Sequence, residues 1–131
     1  MDRRTLLAAA GAGLALPALG RSQGRWPDRP IRMIVPFPAG GGTDAWARMT
    51  AEPLGQELGQ AILVENRSGG SGMIGTDAAA KAAPDGYTLL MNITTHVQSP
   101  VVMRRSPYDP FRDFAFIGRL GTTAITFGIG P

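Results

Sequence analysis

The sequence predicts an α/β fold in which helices flank a parallel sheet. Three apolar segments of strand length alternate with two segments of helical character, in the order β-α-β-α-β. Strands that are joined through a helix lie parallel in one sheet, with a right-handed crossover. The chain has 131 residues, of which 44% are hydrophobic and 18% are charged, so it can bury the core of one domain.

The first strand covers residues 31–37, an apolar and partly β-branched run. A helix then begins at Thr43, a suitable N-cap residue, and Gly59 supplies its stop signal. Pro53 lies inside this helix and is expected to kink it or to divide it into two shorter helices. The apolar residues that lie roughly on one face of the helix are Trp46, Met49, Leu54 and Leu58. Of these, Trp46 and Met49 are interpreted as core residues.

The remaining elements continue the same alternation. A second strand covers residues 61–65, and a second helix covers roughly residues 73–83. A Pro-Asp-Gly turn at residues 84–86 leads into the third strand, over residues 87–93. Residues 115–129 are interpreted as a further strand.

Residues 1–24 have the pattern of an export signal. Arg3 and Arg4 precede an uncharged apolar run from Leu6 to Leu19, which is too short to span a membrane. The arginine pair fits a twin-arginine signal and a general secretory signal equally, and both alternatives remain open. Either signal would direct the protein out of the cytoplasm.

The basic charge of the chain lies mostly in this signal. The net charge is +3, but without residues 1–24 the chain keeps 10 basic and 9 acidic side chains. The remaining arginines are scattered, and no aromatic residues alternate with them. The sequence therefore argues against a nucleic-acid partner.

The chain offers few residues for catalysis or metal binding. It has no Cys, which excludes a disulfide scaffold, a thiolate zinc site and a cysteine nucleophile, and His96 is its single histidine. Residues 40–42 match neither the dinucleotide fingerprint nor the P-loop, and residues 69–73 lack the last glycine of G-x-S-x-G. We therefore expect no enzyme, no metal and no cofactor. An exported α/β hydrolase remains an alternative, with Ser71 and His96 as its candidate pair.

Two glycine-rich loops, residues 39–44 and 68–72, each follow a strand and precede a helix. Ligands of parallel sheets bind beyond the carboxyl ends of the strands. The start of a helix offers unpaired N–H groups and a partial positive charge. The third strand ends in residues 92–96, which add hydroxyl and imidazole groups at the same edge. This pattern predicts an anion-binding site.

Four segments of the chain carry a family resemblance. Residues 30–44 read PIRMIVPFPAGGGTD, residues 58–67 contain LGQ and VENR, residues 82–90 read AAPDGYTLL, and residues 107–114 contain PYDP and DF. In this order they resemble the substrate-binding receptors of tripartite tricarboxylate transporters, the Bug family of periplasmic receptors. The resemblance covers essentially everything after the export signal.

The resemblance implies the first lobe of a two-lobed periplasmic-binding-protein (Venus flytrap) fold, truncated at its carboxyl end. Residues 25–131 would form this lobe, with the crossing to the second lobe starting near residues 115–131. Such a receptor is a monomer that captures a small organic carboxylate in the periplasm, delivers it to the membrane permease subunits and catalyses nothing. A receptor that signals to a membrane kinase is the alternative. Because half of the cleft would be missing, we expect these residues alone to bind the solute weakly or not at all.

The resemblance also implies which residues bind the ligand. In the family, loop backbone and hydroxyl groups hold the carboxylates of the ligand, partly through ordered water. The corresponding residues are Phe37, Ala39, Gly40, Gly41, Gly42, Thr43 and Asp44 in the first loop, Ser71, Gly72, Met73 and Ile74 in the second, and Thr94, Thr95 and His96 in the third. Met73 stands where many relatives carry Asn, which removes one polar contact or cap.

Overall fold

Three parallel strands form the sheet. The computed structural model describes residues 25–103 and 105–122. The strands are β1 (Ile31–Val35), β2 (Ile62–Asn66) and β3 (Thr88–Leu90), in the order β2-β1-β3. β1 pairs with β2 from Ile31 opposite Ile62 to Val35 opposite Asn66, and with β3 on its other side. The α/β fold with a parallel sheet is therefore confirmed.

The main helices pack against this sheet. They are α1 (Gly42–Leu58), α2 (Met73–Ala80) and α3 (Thr95–Val102), and a short 3-10 turn (Gly70–Gly72) precedes α2. α1 packs on β1 and β2, whereas α2 packs on β1 and β3. The crossover from β1 to β2 and the crossover from β2 to β3 run in opposite directions along the sheet, so right-handed crossovers place α1 and α2 on opposite faces.

The core lies around β1, which is covered on both faces. Met33 and Val35 pack with Ala47 of α1 in one buried cluster. On the other face, α2 approaches so closely that a Cβ on Gly75 would lie 2.8 Å from the Cα of Pro36 and 2.6 Å from the carbonyl oxygen of Arg67. This two-sided burial explains why β1 is apolar at every position except Arg32 rather than alternating.

A cluster at the amino ends of the strands fastens the chain entering β1 to the chain entering β3. The Tyr87 hydroxyl donates to Asp28 Oδ1 at 2.6 Å, and the Trp26 ring packs edge-on against the Tyr87 ring. Gly86 has a φ of +81°, and a Cβ there would lie 3.1 Å from Trp26 Nε1. This cluster is at the opposite end of the sheet from the glycine-rich loops.

The structure corrects several details of α1. The helix begins at Gly42 with Gly41 as its N-cap, not at Thr43, and it continues through Pro53 as one helix of 17 residues. Pro53 is exposed, so solvent reaches the helix where its missing N–H leaves a carbonyl without an intrahelical donor. The helix ends as predicted, with Gly59 in the left-handed conformation.

The prediction that Trp46 and Met49 lie in the core is wrong. Their side chains are 46% and 70% exposed, and the buried face of α1 carries Asp44, Ala47 and Ala51 instead. Small alanines let the helix lie close to the sheet, whereas the larger apolar side chains point outward.

The remaining corrections concern element bounds. The second strand is shifted by one residue, from 61–65 to β2 at 62–66. α2 ends at Ala80 rather than near residue 83, and the third strand covers only residues 88–90 rather than 87–93. The chain turns after β3 and enters α3, a helix that the sequence pattern did not indicate.

Residues 115–122 form no strand, and residues 123–129 of the predicted strand lie outside the described residues. The predicted export signal, residues 1–24, also lies outside them. None of the helices in the described part of the chain is long and apolar enough to cross a membrane.

Candidate functional site

Three loops meet at the carboxyl ends of the strands. Loop 1 (residues 36–41) follows β1, loop 2 (residues 67–72) follows β2, and loop 3 (residues 91–94) follows β3. The strand order reverses between the neighbouring strands β1 and β3, which loops 1 and 3 follow. This is the topological switch point at which open parallel sheets bind their ligands.

Direct contacts join loops 1 and 2. The Phe37 ring packs under Gly72 so closely that a Cβ on Gly72 would lie 3.3 Å from Phe37 Cζ. Gly72 has a φ of +89°, so a side chain at this position would be strained as well as crowded.

Hydrogen bonds join loop 2 to loop 3 and α3. The Gly72 carbonyl accepts from Thr76 Oγ1 at 2.7 Å, and Asn92 Nδ2 donates to that hydroxyl at 2.9 Å. Ser99 of α3 donates to the Ser71 carbonyl at 3.2 Å. The structure therefore brings the three loops named from the sequence to one edge of the sheet.

The start of α1 presents backbone donors at this edge. The first intrahelical bond runs from the N–H of Ala45 to the carbonyl of Gly41 at 2.9 Å, so the N–H groups of Gly42, Thr43 and Asp44 precede it. No side chain caps this terminus within the described residues. Gly42 is exposed and Thr43 is half-buried. Three N–H groups and the positive end of the α1 dipole thus lie at the start of the helix, an arrangement that favours an anion.

Loop 2 differs from loop 1 in how it uses its amides. Residues 69–72 all have positive φ, and Ser71, at φ 54°, is the non-glycine among them. The N–H groups that open α2 already have backbone partners, because Met73 donates to Gly70 and Ile74 donates to Gly69. Loop 2 therefore contributes mainly an exposed Ser71 side chain and the half-buried Met73 and exposed Ile74 side chains.

Loop 3 ends at the exposed Thr94 and leads into Thr95 and His96 of α3. The Thr95 hydroxyl lies 3.4 Å from Asn92 Oδ1, and the N–H of His96 donates to the carbonyl of Ile93. The two threonines supply the hydroxyl groups that the sequence predicted at this edge.

Asp44 lies beneath the α1 terminus rather than on its surface. Its side chain is buried and accepts from the N–H of Gly40 at 2.8 Å, from Arg48 Nε at 3.0 Å and from Asn66 Nδ2 at 2.9 Å. These donors, Arg48 first, lower the pKa of Asp44 from 3.8 to about 2. Asp44 is therefore ionised at neutral pH and is fully engaged inside the protein.

His96 is also buried, in an aromatic cluster. Its ring stacks on Tyr108 with the centroids 5.6 Å apart, and Phe114 packs edge-on against it at 4.8 Å. Its Nε2 atom lies 2.9 Å from the Pro110 carbonyl oxygen. The Ser71 side chain is exposed, and among the described residues no hydrogen bond joins it to His96.

No metal centre is present in the described residues: no three His, Asp or Glu side chains there are grouped so that they could hold an ion. The polar groups at the loop edge include backbone N–H groups and hydroxyls, which are suited to holding an anion by hydrogen bonds.

Comparison with known proteins identifies the family. The sequence model of the tripartite tricarboxylate transporter family receptor matches residues 46–129. Protein BugT of Bordetella pertussis is 40% identical over 141 residues, which cover 100% of this chain and 41% of BugT.

Solved structures agree with this identification. The periplasmic binding protein BugD is 42% identical with a TM-score of 0.66, over 68% of this chain and 30% of BugD. MatC from Rhodopseudomonas palustris, solved with bound malate, is 37% identical with a TM-score of 0.65, over 68% of this chain and 31% of MatC.

The chain thus spans 41% of the length of BugT and about three tenths of the two solved chains. The family match covers more than half of the chain and agrees with the resemblance seen in the sequence. The chain belongs to the tripartite tricarboxylate transporter receptor family, the Bug receptors.

Proposed function

We propose that this chain forms the first lobe of a periplasmic receptor that captures a small organic carboxylate, and that loop 1 with the start of α1 holds one carboxylate of the solute. The uncapped N–H groups of Gly42, Thr43 and Asp44, beside the switch point of the sheet, carry this proposal. Amide donors and a helix dipole bind an anion without an arginine or lysine. The malate bound to MatC, a solved relative, supports a dicarboxylate as the solute class.

The other predicted site residues have different roles in this proposal. Thr43, Thr94 and Thr95 add hydroxyl donors around the carboxylate, and Ser71 adds another from loop 2. Met73 and Ile74 form an apolar wall, and Phe37 supports loop 2 from below. A second lobe closes over this edge and completes the cleft, after which the receptor delivers the solute to the membrane permease.

His96 supports the site from within. The residue is 7% exposed, and its ring holds the chain around Pro110 against α3. We therefore assign it to fixing the position of Thr94 and Thr95 rather than to contacting the solute.

The substrate class is tested with the complete protein, without residues 1–24, by thermal shift against acetate, succinate, malate and citrate. A solute at about 100 times its dissociation constant stabilises the folded state by roughly 2.7 kcal/mol. We expect at least one di- or tricarboxylate to raise the melting temperature, and the corresponding amide to leave it unchanged. A flat response to all of these acids would contradict the carboxylate class.

The α1 amides are tested by replacing Gly42 with proline. Proline is tolerated at the first position of a helix and removes only that N–H, and the extended backbone of Gly41 (ψ 169°) suits a residue before proline. Losing one hydrogen bond to a charged group should weaken carboxylate binding by roughly tenfold or more. Gly42→Ala is the matched control, because it keeps the N–H and its Cβ meets nothing within 4 Å. Equal affinity of the Pro and Ala variants would overturn the role of this terminus.

A further inference from the structure

An acidic residue in the first turn of α1 is unexpected in a carboxylate receptor. Asp44 is the third residue of α1, and its own N–H is one of the three that precede the first intrahelical bond. A free carboxylate here would repel an anionic solute and would compete with it for the same N–H groups. The direction and the partners of the Asp44 side chain therefore decide whether the site can hold a carboxylate.

The Asp44 side chain points back into the protein, where it is 5% exposed. One oxygen, Oδ2, accepts from the N–H of Gly40 in loop 1 and from Arg48 one turn later in α1. The other, Oδ1, accepts from Asn66 at the end of β2. Both oxygens are therefore engaged by donors of loop 1, α1 and β2.

Asn66 connects Asp44 and Arg48 to the beginning of loop 1. Its Nδ2 atom also donates to the carbonyl of Phe37 at 3.1 Å, and its Oδ1 atom accepts from Arg48 at 3.2 Å. Loop 1 is thus fixed at its beginning through Phe37 and in its middle through Gly40. Gly40 has a φ of +80°, a left-handed conformation that the turn of loop 1 requires.

The ion pair with Arg48 also neutralises the charge of the Asp44 carboxylate. The Arg48 guanidinium lies 3.0 Å from the Asp44 carboxylate, so the pair contributes no net charge beneath the helix terminus. The ionised carboxylate is needed as an acceptor for all three donors, and an amide side chain could not accept from all of them.

We propose that Asp44 is a positioning residue, which together with Asn66 and Arg48 fixes loop 1 so that the α1 amides face the solute, without touching the solute itself. This inference rests on the proposed function for its effect on affinity. Its structural part, the fixing of loop 1, does not depend on which solute binds.

The structural part is tested by hydrogen exchange of the ligand-free complete protein. In Asp44→Asn, the peptide that covers residues 38–44 should exchange faster than in the wild type, since an amide cannot accept from Gly40, Arg48 and Asn66 together. Gly86→Ala is the control, because it is strained at the opposite end of the sheet and should leave this peptide unchanged. Unchanged exchange in Asp44→Asn would overturn the proposal, whether or not any carboxylate binds.

The effect on affinity is tested by calorimetry with malate and succinate. We expect Asp44→Asn and Asn66→Ala each to weaken the binding of both acids by the same factor, roughly tenfold or more. The double variant should bind no more weakly than the weaker-binding single variant. Weaker binding of malate but not of succinate would indicate a contact between Asp44 and the solute hydroxyl, and would overturn the proposal. If Asp44→Asn exchanged faster than the wild type but the wild-type protein bound neither acid, the result would count against the proposed function alone.

Discussion

At the scale of single residues, Asp44 determines how the α1 terminus behaves with pH. Its pKa lies at about 2 in the folded protein, below the ordinary 3.8, because Arg48, Gly40 and Asn66 donate to the ionised form. As the pH falls, the unfolded chain therefore takes up this proton before the folded protein does. The stabilisation from ionised Asp44 is fully present above about pH 4 and is lost as the pH falls through about 2.

Replacing Asp44 should therefore reduce the acid sensitivity of the protein. We expect the free energy of unfolding of the wild type to fall more between about pH 4 and pH 2 than that of Asp44→Asn, which has no carboxyl group to titrate here. Urea unfolding at several pH values in this range measures the difference. Asp109, whose pKa is lowered by the N–H groups of Phe111 and Arg112, titrates in both proteins and cancels in the comparison. Equal losses in the two proteins would contradict this role of Asp44.

Residue-level prediction from the sequence succeeds where a backbone requirement selects the residue type. Gly59 ends α1 because a left-handed C-cap favours glycine, and the sequence pattern alone indicates it. The direction of the Asp44 side chain is different, because it depends on Asn66, 22 positions away in the chain. Nothing local in the sequence distinguishes an acidic residue that faces the solute from one that fixes the loop beneath it.

At the scale of elements, the distance between α2 and β1 depends on the absence of one side chain. A Cβ on Gly75 would lie 2.8 Å from both Pro36 Cα and Pro36 Cβ, and 2.6 Å from the carbonyl oxygen of Arg67. Two of these neighbours are backbone atoms at the start of loops 1 and 2, so they cannot move without moving the site. The close packing of α2 on β1 and the positions of loops 1 and 2 therefore depend on the same contacts.

Gly75→Ala should destabilise the protein although alanine is the better helix former. Forcing a methyl group into a closely packed contact costs typically about 1–3 kcal/mol, which exceeds the gain in helix propensity of about 1 kcal/mol. Gly118→Ala is the matched control, because its Cβ would meet nothing within 4 Å. Urea unfolding should give a lower midpoint for Gly75→Ala only. A Gly75→Ala variant as stable as the control would show that α2 can move away from β1 freely.

The strands were predictable and α3 was not, for a physical reason. β1 is an apolar run because both of its faces are covered, and that pattern is readable in one sequence. α3 has the sequence THVQSPVV, which contains β-branched residues and an internal proline, all unfavourable for a helix. It is held instead by tertiary contacts, since Ser99 donates to the Ser71 carbonyl and Tyr108 donates to the His96 carbonyl.

At the scale of the whole molecule, the strand order β2-β1-β3 brings the three loops together. The alternation of strands and helices predicts that the strands are parallel, but it leaves their order open. The sequence predicts the fold class, the edge of the sheet at which the three loops meet, and the family. It does not predict that the two glycine-rich loops differ. Loop 1 leaves the α1 amides without a cap, whereas loop 2 bonds the first amides of α2 to its own carbonyls.

The large exposed apolar side chains of the structure are concentrated beyond α3 and at its end. Those more than half exposed in this part of the chain are Val101, Val102, Phe111, Phe116, Ile117 and Leu120. The rings of Phe111 and Phe116 lie 6.4 Å apart, and Ile117, next in the chain, is 86% exposed. Apolar groups that lie side by side on a surface favour association more than the same groups dispersed singly.

Residues 25–131 produced alone should therefore bind an apolar dye and self-associate through this surface. We expect the double variant F111Q/I117Q to lower both dye fluorescence and the apparent mass in analytical ultracentrifugation. The control is M49Q/L63Q, which removes two apolar side chains of similar exposure, 70% and 57%, from α1 and β2. If both double variants lowered association equally, the effect would follow from the total apolar exposure and not from the grouping of these residues. The grouped surface predicts that the first variant alone restores the monomer, since it removes the ring beside Phe116 and the side chain that follows Phe116 in the chain.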